Sequence, residues 1–339
     1  MKKSLARYVI IRLLLTIPMV FILLTIVFVI LRVMPGDPVS SMLGGHAPEK
    51  VIEQKRKELG LDRSLPVQYV QYLWQICHLD LGESMIFKER VTKAIADKLP
   101  ATVELTFFAM IITLFMGVFL GAYAADKRRS SRDYGIRLYG IVVYCIPVYW
   151  MGLMLQLIFG IWLNILPIAG RLGARTFASD FERTGFYVLD TIMARDFTAL
   201  GDVLIHLVLP AFTLGIVLSG IFVRLTRANM LDVLKSDYIL AAEARGIPHR
   251  KIVYKHALKN AFIPILTMMG LQFALLMAGA VLTETTFSWP GMGRLLLERI
   301  YLRDYPTIQG VIIVVALVVA MASLLVDVVY AMVDPRVRY

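Results

Sequence analysis

The chain has 339 residues, of which 58% are hydrophobic and 18% charged, with a net charge of +11; soluble domains usually carry about 25% charged residues. Six windows hold no Asp, Glu, Lys or Arg: 13–31, 105–125, 138–170, 203–223, 260–283 and 305–326. About 20 helical residues cross the hydrocarbon of a bilayer, so these windows predict an all-α membrane protein with six transmembrane helices and exclude a soluble enzyme, a disordered chain and a barrel of about ten-residue alternating strands.

Six spans return both termini to one side. Segments 1–12, 126–137, 224–259 and 327–339 hold 19 Lys and Arg against 7 Asp and Glu, whereas 32–104, 171–202 and 284–304 hold 17 against 18. Basic residues collect on the cytoplasmic face of membrane proteins. Both termini are therefore expected in the cytoplasm of a multi-pass protein, and the basic surplus requires no nucleic acid.

In chain order, residues 1–31 form an N-terminal anchor helix. Its 19-residue apolar run leads into Pro35-Gly36-Asp37-Pro38, which offers no small-x-small cleavage site, so it is expected to be retained. Residues 32–104 form an external segment longer than a connection requires. One part, Pro48 to Leu59, is charged and helical in pattern; another, Ser64 to Leu79, is uncharged and aromatic, with Tyr69, Tyr72 and Trp74 beside Gln68, Gln71 and Gln75. Sixteen uncharged residues are too few to span, and rings with amide partners suit a helix at the membrane surface. A structural lid and a docking surface for an external partner are both open readings of it.

Residues 105–339 read as a five-helix core. Gly117 and Gly121 form a small-xxx-small pair for close helix approach, and the basic turn 126–133 sets orientation. Pro147 and Pro167 divide the longest window, leaving about 138–162 as its span. Glu104, Asp327 and His206 sit near span ends, and no carboxylate or histidine relay of an ion-coupled carrier crosses the membrane. No Gly-x-x-x-x-Gly-Lys-Ser/Thr phosphate loop occurs, so the chain is not its own ATPase; the five histidines and two cysteines form no metal-ligand pattern. No metal, no cofactor and no catalytic residue are expected.

The longest cytoplasmic loop, 224–259, is the informative stretch. Ser236 or Asp237 can N-cap a short helix rich in Ala and Leu. Gly246 suits the left-handed position that ends it, and Pro248 the first turn of the next helix. Ala241 and Ala242 leave one face flat enough to lie against another protein.

Ala241-Ala242 followed by Gly246 resembles the EAA loop of bacterial ABC importer permeases, with Leu240 where that family has Glu. The run Ala244 to Pro264 resembles the version in the dipeptide, oligopeptide and nickel permease family. Pro35-Gly36-Asp37-Pro38, Leu99-Pro100-Ala-Thr102-Val-Glu104, Glu284-Thr-Thr-Phe287-Ser-Trp289-Pro290-Gly291-Met-Gly293 and Arg303-Asp304-Tyr305-Pro306 point the same way and in the family's order. The resemblance implies a type I ABC importer permease fold in the bacterial inner membrane. It also implies a second homologous permease, two cytoplasmic ATPases carrying ATP and Mg, and an external substrate-binding protein.

On that footing Asp237, Tyr238, Ala241, Ala242, Gly246, Pro248 and Arg250 are expected to contact an ATPase. Tyr144, Tyr149, Trp150, Gln156 and Gln272 are candidates to line the pathway. Phe287, Trp289, Pro290, Gly291 and Gly293, in the external loop 284–304, are candidates for an outer gate or binding-protein contact. The implied function is a permease subunit of a dipeptide or oligopeptide importer. The alternatives are a nickel or glutathione importer on the same scaffold and, from another class, an ion-coupled secondary carrier.

Overall fold

The computed structural model describes residues 2–33, Val39, 48–58 and 60–333. Pro35-Gly36-Asp37-Pro38 and the side chain of Asp327 lie outside the described residues. Among the described residues the fold is helical, and the only extended pairing is an isolated antiparallel bridge between Glu83 and Arg90. A backbone that satisfies its own hydrogen bonds within each segment is what a bilayer demands.

Helix α1 spans Lys2–Val33, and α2 (Glu49–Glu58) and α3 (Leu65–Cys77) follow in the external segment. Helix α4 runs Val91–Asp126, and the pair α5 (Ser131–Cys145) and α6 (Val148–Leu155) continues into a π-helical stretch, Gln156–Trp162. Helix α7 (Tyr187–Ala194) precedes α8 (Phe197–Val233), α9 (Asp237–Ala244) and α10 (His249–Lys251). A second π-helical stretch, Ile252–Ala257, leads into α11 (Leu258–Thr286), and α12 (Met292–Tyr301) and α13 (Tyr305–Val333) complete the chain.

Among the described residues four stretches are long and apolar enough to cross a membrane, Val91–Asp126, Phe197–Val233, His249–Met277 and Tyr305–Val326, and a fifth if the bent pair after Asp126 is counted as one span. In α1 the apolar part is Leu14–Ile30. The expected span at 138–162 is not one straight helix. Chain direction changes by 103° between Ser131–Cys145 and Val148–Trp162. The cause is local: the residue before a proline is driven out of the helical region, and Ile146 (ψ 127°) and Pro147 (ψ 134°) are both extended.

Helices α4 and α8 form the centre. A Cβ on Gly117 would lie 2.2 Å from Phe222 Cβ, and one on Gly121 would lie 2.6 Å from Thr226 Cβ. The small-xxx-small pair therefore serves packing inside this chain. Helix α5 closes on the other side of α8, where a Cβ on Gly220 would stand 2.4 Å from the Gly140 carbonyl oxygen. Thr113 Oγ1 adds a hydrogen bond to the Gly215 carbonyl at 3.1 Å.

Adding bulk to a filled contact costs about 1–3 kcal/mol. Gly121→Leu is expected to lower the thermal unfolding temperature of the detergent-purified protein, whereas Gly135→Ala, whose Cβ meets nothing within 4 Å, should leave it unchanged.

Candidate functional site

The basic face presents a helical corner. Ser236 occupies the N-cap position of α9 with extended backbone, but its hydroxyl donates back to the Val233 carbonyl at 2.6 Å and does not cap. Helix α9 ends in a Schellman motif: Gly246 N–H donates to the Glu243 carbonyl at 2.9 Å and Ile247 N–H to the Ala242 carbonyl at 3.2 Å. That motif requires the left-handed conformation, which Gly246 adopts with φ +73°. Pro248 then serves as the N-cap of α10, one position earlier than expected, and its carbonyl accepts from Lys251 and Ile252.

One side of this corner is fixed to the bundle. Ile239 is fully buried with Ala122 and Ala125 of α4, Met230 of α8, and Ile252, Val253, Ala257 and Ala261. Asn260 Nδ2 donates to the Tyr238 hydroxyl at 2.7 Å, and His249 Nε2 sits 2.6 Å from Asp126 Oδ1. Below it, Arg227 forks onto the buried Asp133 with Nε at 2.6 Å and Nη2 at 2.8 Å. The turn 126–133 therefore binds α8 as well as setting orientation.

The other side is open. Asp237, Tyr238, Ala241, Gly246, Pro248 and Arg250 are exposed, and Ala242 is half-buried. Leu240, an apolar side chain 55% exposed, stands among them.

At the opposite end of α4 the structure assembles a buried polar lock. Thr102 Oγ1 donates to Glu284 Oε1 and accepts from Met292 N–H at 2.7 Å. Glu284 Oε2 accepts from Arg294 N–H at 3.0 Å, and Trp289 Nε1 donates to the Ala101 carbonyl at 3.0 Å. A Cβ on Gly291 would lie 2.1 Å from Glu284 Oε1, so only glycine lets this turn close over the carboxylate. Phe287, Trp289, Gly291 and Gly293 are buried and Pro290 is half-buried; Ser288 and Arg294 form the exposed rim.

Beside this lock Glu104 meets Arg171 in a buried ion pair. Glu104 Oε1 also accepts from Val188 N–H at 2.8 Å, Arg171 Nη2 donates to the Gly185 carbonyl at 2.8 Å, and the guanidinium lies 3.6 Å from the Tyr187 ring centre. A second cluster centres on fully buried Asp304, which accepts from Ser84 Oγ at 2.6 Å, Met85 N–H at 3.1 Å and Thr307 Oγ1 at 2.7 Å. Nearby, Arg299 donates to Glu89 at 2.7 Å. The sequence places Glu104 only near a span end and carries no signal that it meets Arg171.

The pathway candidates separate. Tyr144, Tyr149 and Trp150 are exposed around the bend after α5. Gln156 Nε2 is committed to the Ile168 and Thr286 carbonyls, at 2.6 and 3.0 Å. Gln272 is buried, and its Oε1 has no hydrogen-bond partner. His206 Nδ1 faces its own helix, 2.8 Å from the Asp202 carbonyl.

A polytopic helical chain that exposes a stapled helical corner on its basic face has the form of a multi-pass membrane component. Residues 117–339 match the family described as the binding-protein-dependent transport system inner membrane component, and residues 5–106 match the N-terminal region of such components. The chain belongs to this family, whose members in ABC transporters are non-catalytic, multi-pass inner-membrane subunits. It is 42% identical over 328 residues to a dipeptide transport system permease protein of Alkalihalophilus pseudofirmus, covering 97% of this chain and 98% of that one. A di/tripeptide transport system permease protein of Pseudomonas aeruginosa is 39% identical, with 97% of each chain covered. A glutathione transport system permease protein of Pectobacterium atrosepticum is 36% identical, covering 98% of this chain and 99% of the relative.

Breaking a buried ion pair by removing one partner costs about 3–5 kcal/mol, while an apolar pair of similar volume restores much of it. Glu104→Leu and Arg171→Met are each expected to destabilise strongly, and the double variant to be more stable than either, in a thermal double-mutant cycle. A pH effect belongs to Asp190 in the outer loop. Burial pushes its carboxyl up, but the Thr184 hydroxyl and the N–H groups of Arg183, Thr184 and Gly185 outweigh burial and hold it below the usual carboxylate range. The stability it contributes is present above its unfolded pKa and is lost as pH falls through the folded one. Limited proteolysis of the 183–190 loop should therefore accelerate as pH drops below about 3.8, and Asp190→Asn should already be fast at neutral pH.

Proposed function

We propose that this chain is one of two permease subunits of an ATP-driven importer of dipeptides and oligopeptides. A second homologous permease would complete the pathway, two cytoplasmic ATPases would bind ATP and Mg, and an external binding protein would deliver substrate. The substrate class rests on the relatives named above, all permeases for short peptides or glutathione. Glutathione, itself a short peptide, is the second reading, carried by the third of them.

The observation that carries the coupling role is the corner at 237–250: stapled to α4, α8 and α11 on one side and open on the other. A groove in an ATPase would receive Asp237, Tyr238, Ala241, Ala242, Gly246, Pro248 and Arg250. Closure of the ATPases on ATP would then move α9 as one body with the ends of α4 and α8, a rigid-body route to alternating access. Tyr144, Tyr149 and Trp150 would border the peptide route beside Gln156 and Gln272. The turn carrying Phe287, Trp289, Pro290, Gly291 and Gly293 would frame the outer gate, with Ser288 and Arg294 offered to the binding protein. In this reading 1–31 is an anchor, 32–104 an external segment and 105–339 the permease core.

Leu240→Asp and Ala241→Arg change only exposed side chains. Each is expected to leave the subunit inserted and folded while abolishing uptake and releasing ATP hydrolysis from its dependence on substrate, as read in proteoliposomes. Normal coupled uptake in both variants would refute the docking role.

A further inference from the structure

Helix α3 carries two opposed faces, and only one of them is explained by the chain itself. Its inner face packs on α1 and α13: the Tyr69 hydroxyl is 2.6 Å from Thr25 Oγ1, the Tyr72 hydroxyl donates to the Leu24 carbonyl at 3.3 Å, and Tyr72 packs with Phe28 and Ile313. The rings of Tyr69 and Tyr72 lie 5.2 and 5.5 Å from that of Phe28. Its outer face is apolar and bare. Val67, Val70 and Trp74 are exposed there, Val70 to 66% and Trp74 to 68%. They border a shallow depression with Pro66, at whose edge Arg63 donates to Gln71 Oε1 at 3.1 Å.

The contacts on the inner face give the depth of the helix. The uncharged run of α1 ends at Leu31, and at 1.5 Å per residue Thr25 lies about 9 Å and Leu24 about 10 Å inside that end. The uncharged run of α13 begins at Tyr305, and by the same rise Ile313 lies about 12 Å inside it. The run in α1 holds 19 residues, barely the thickness of the hydrocarbon, so its end cannot stand far out in water. Two antiparallel helices thus place α3 at the same level, below the polar boundary. Its composition agrees: Ser64 to Leu79 contains no charged residue, whereas Asp62 and Arg63 precede it and Asp80 and Glu83 follow it.

We propose that α3 is seated in the outer leaflet with its Val67, Val70 and Trp74 face against lipid acyl chains. Lipid is the occupant because Val67, Val70 and Trp74 form an apolar strip, the one amide among them, Gln71, accepts from Arg63, and the helix lies at hydrocarbon depth, flanked at both ends by charges that would reach the headgroups, the arrangement of an interfacial amphipathic helix. The helix thereby holds the external segment to the bilayer and presents the turn at 84–89 to Asp304 and Arg299. An aqueous docking surface would place the same face in water.

The test uses the full-length chain, purified with the subunits that accompany it and reconstituted in liposomes, with Cys77 and Cys145 replaced by serine. A nitroxide at Val70→Cys is compared with one at Val51→Cys on the charged helix α2, using oxygen and a water-soluble nickel chelate as collision partners. The label at position 70 is expected to respond to oxygen and lose the chelate response that the label at position 51 shows. A chelate response equal at both positions would overturn the proposal in favour of an aqueous face; silence toward both partners would overturn it in favour of burial against protein. A second measurement needs no cysteine: tryptophan emission in liposomes whose lipids are brominated near the headgroup end of the acyl chain. Trp74→Phe is expected to lose a share of the quenching, and undiminished quenching would count against lipid contact.

Discussion

The close approach of α4 and α8 is the constraint on which the other features depend. Glycine at 117 and 121 brings these two helices nearer than any side chain would permit. Without a hydrophobic drive between helices in lipid, such contact is held by dispersion and by the occasional polar bond, here Thr113 to the Gly215 carbonyl. The consequence is a rod with two functional ends. One end contributes Ala122, Ala125, Asp126 and Met230 to the seat of the 237–250 corner; the other contributes Thr102 to the buried lock and Glu104 to the ion pair beside it.

The two ends are built on different physics. The coupling corner rests on apolar burial of Ile239 and a few exposed polar staples, so its outward face is free to meet a partner. The lock and the clusters beside it are polar: Thr102, Glu104, Arg171, Glu284 and Asp304 are buried and bound to backbone or to neighbouring side chains. Buried groups of this kind are costly to leave unpaired. A lock that opens must therefore exchange several bonds together, which favours two discrete arrangements over a graded one. That is the behaviour the proposed outer gate requires.

Much of this was legible in the sequence, for reasons that can be named. Charge is excluded from hydrocarbon, so four spans stand out as charge-free windows, although the helices Val91–Asp126 and Phe197–Val233 run well past theirs, and Gly246 with Pro248 marks a corner because few other residues satisfy that geometry. The direction of the chain inside a window was not legible: 138–170 is uncharged throughout, and only the extended backbone at Ile146 and Pro147 reveals the sharp bend. Nor were the long-range pairs. Asp133 finds Arg227 and Glu104 finds Arg171 across 94 and 67 residues, separations over which spacing carries no information. The inward turn of Trp289 was equally hidden, since an aromatic beside Pro-Gly reads the same whether it faces water or core.

In the proposed coupling, α9 and the rod formed by α4 and α8 move as one body when the ATPases close. Pulsed electron resonance between nitroxides at Glu243 on α9 and Leu204 near the outer end of α8, in the reconstituted complex with and without trapped nucleotide, tests it directly. The same distance distribution is expected in both states while substrate access switches sides. A nucleotide-dependent shift of Glu243 relative to Leu204 would show the corner moving alone and would contradict it.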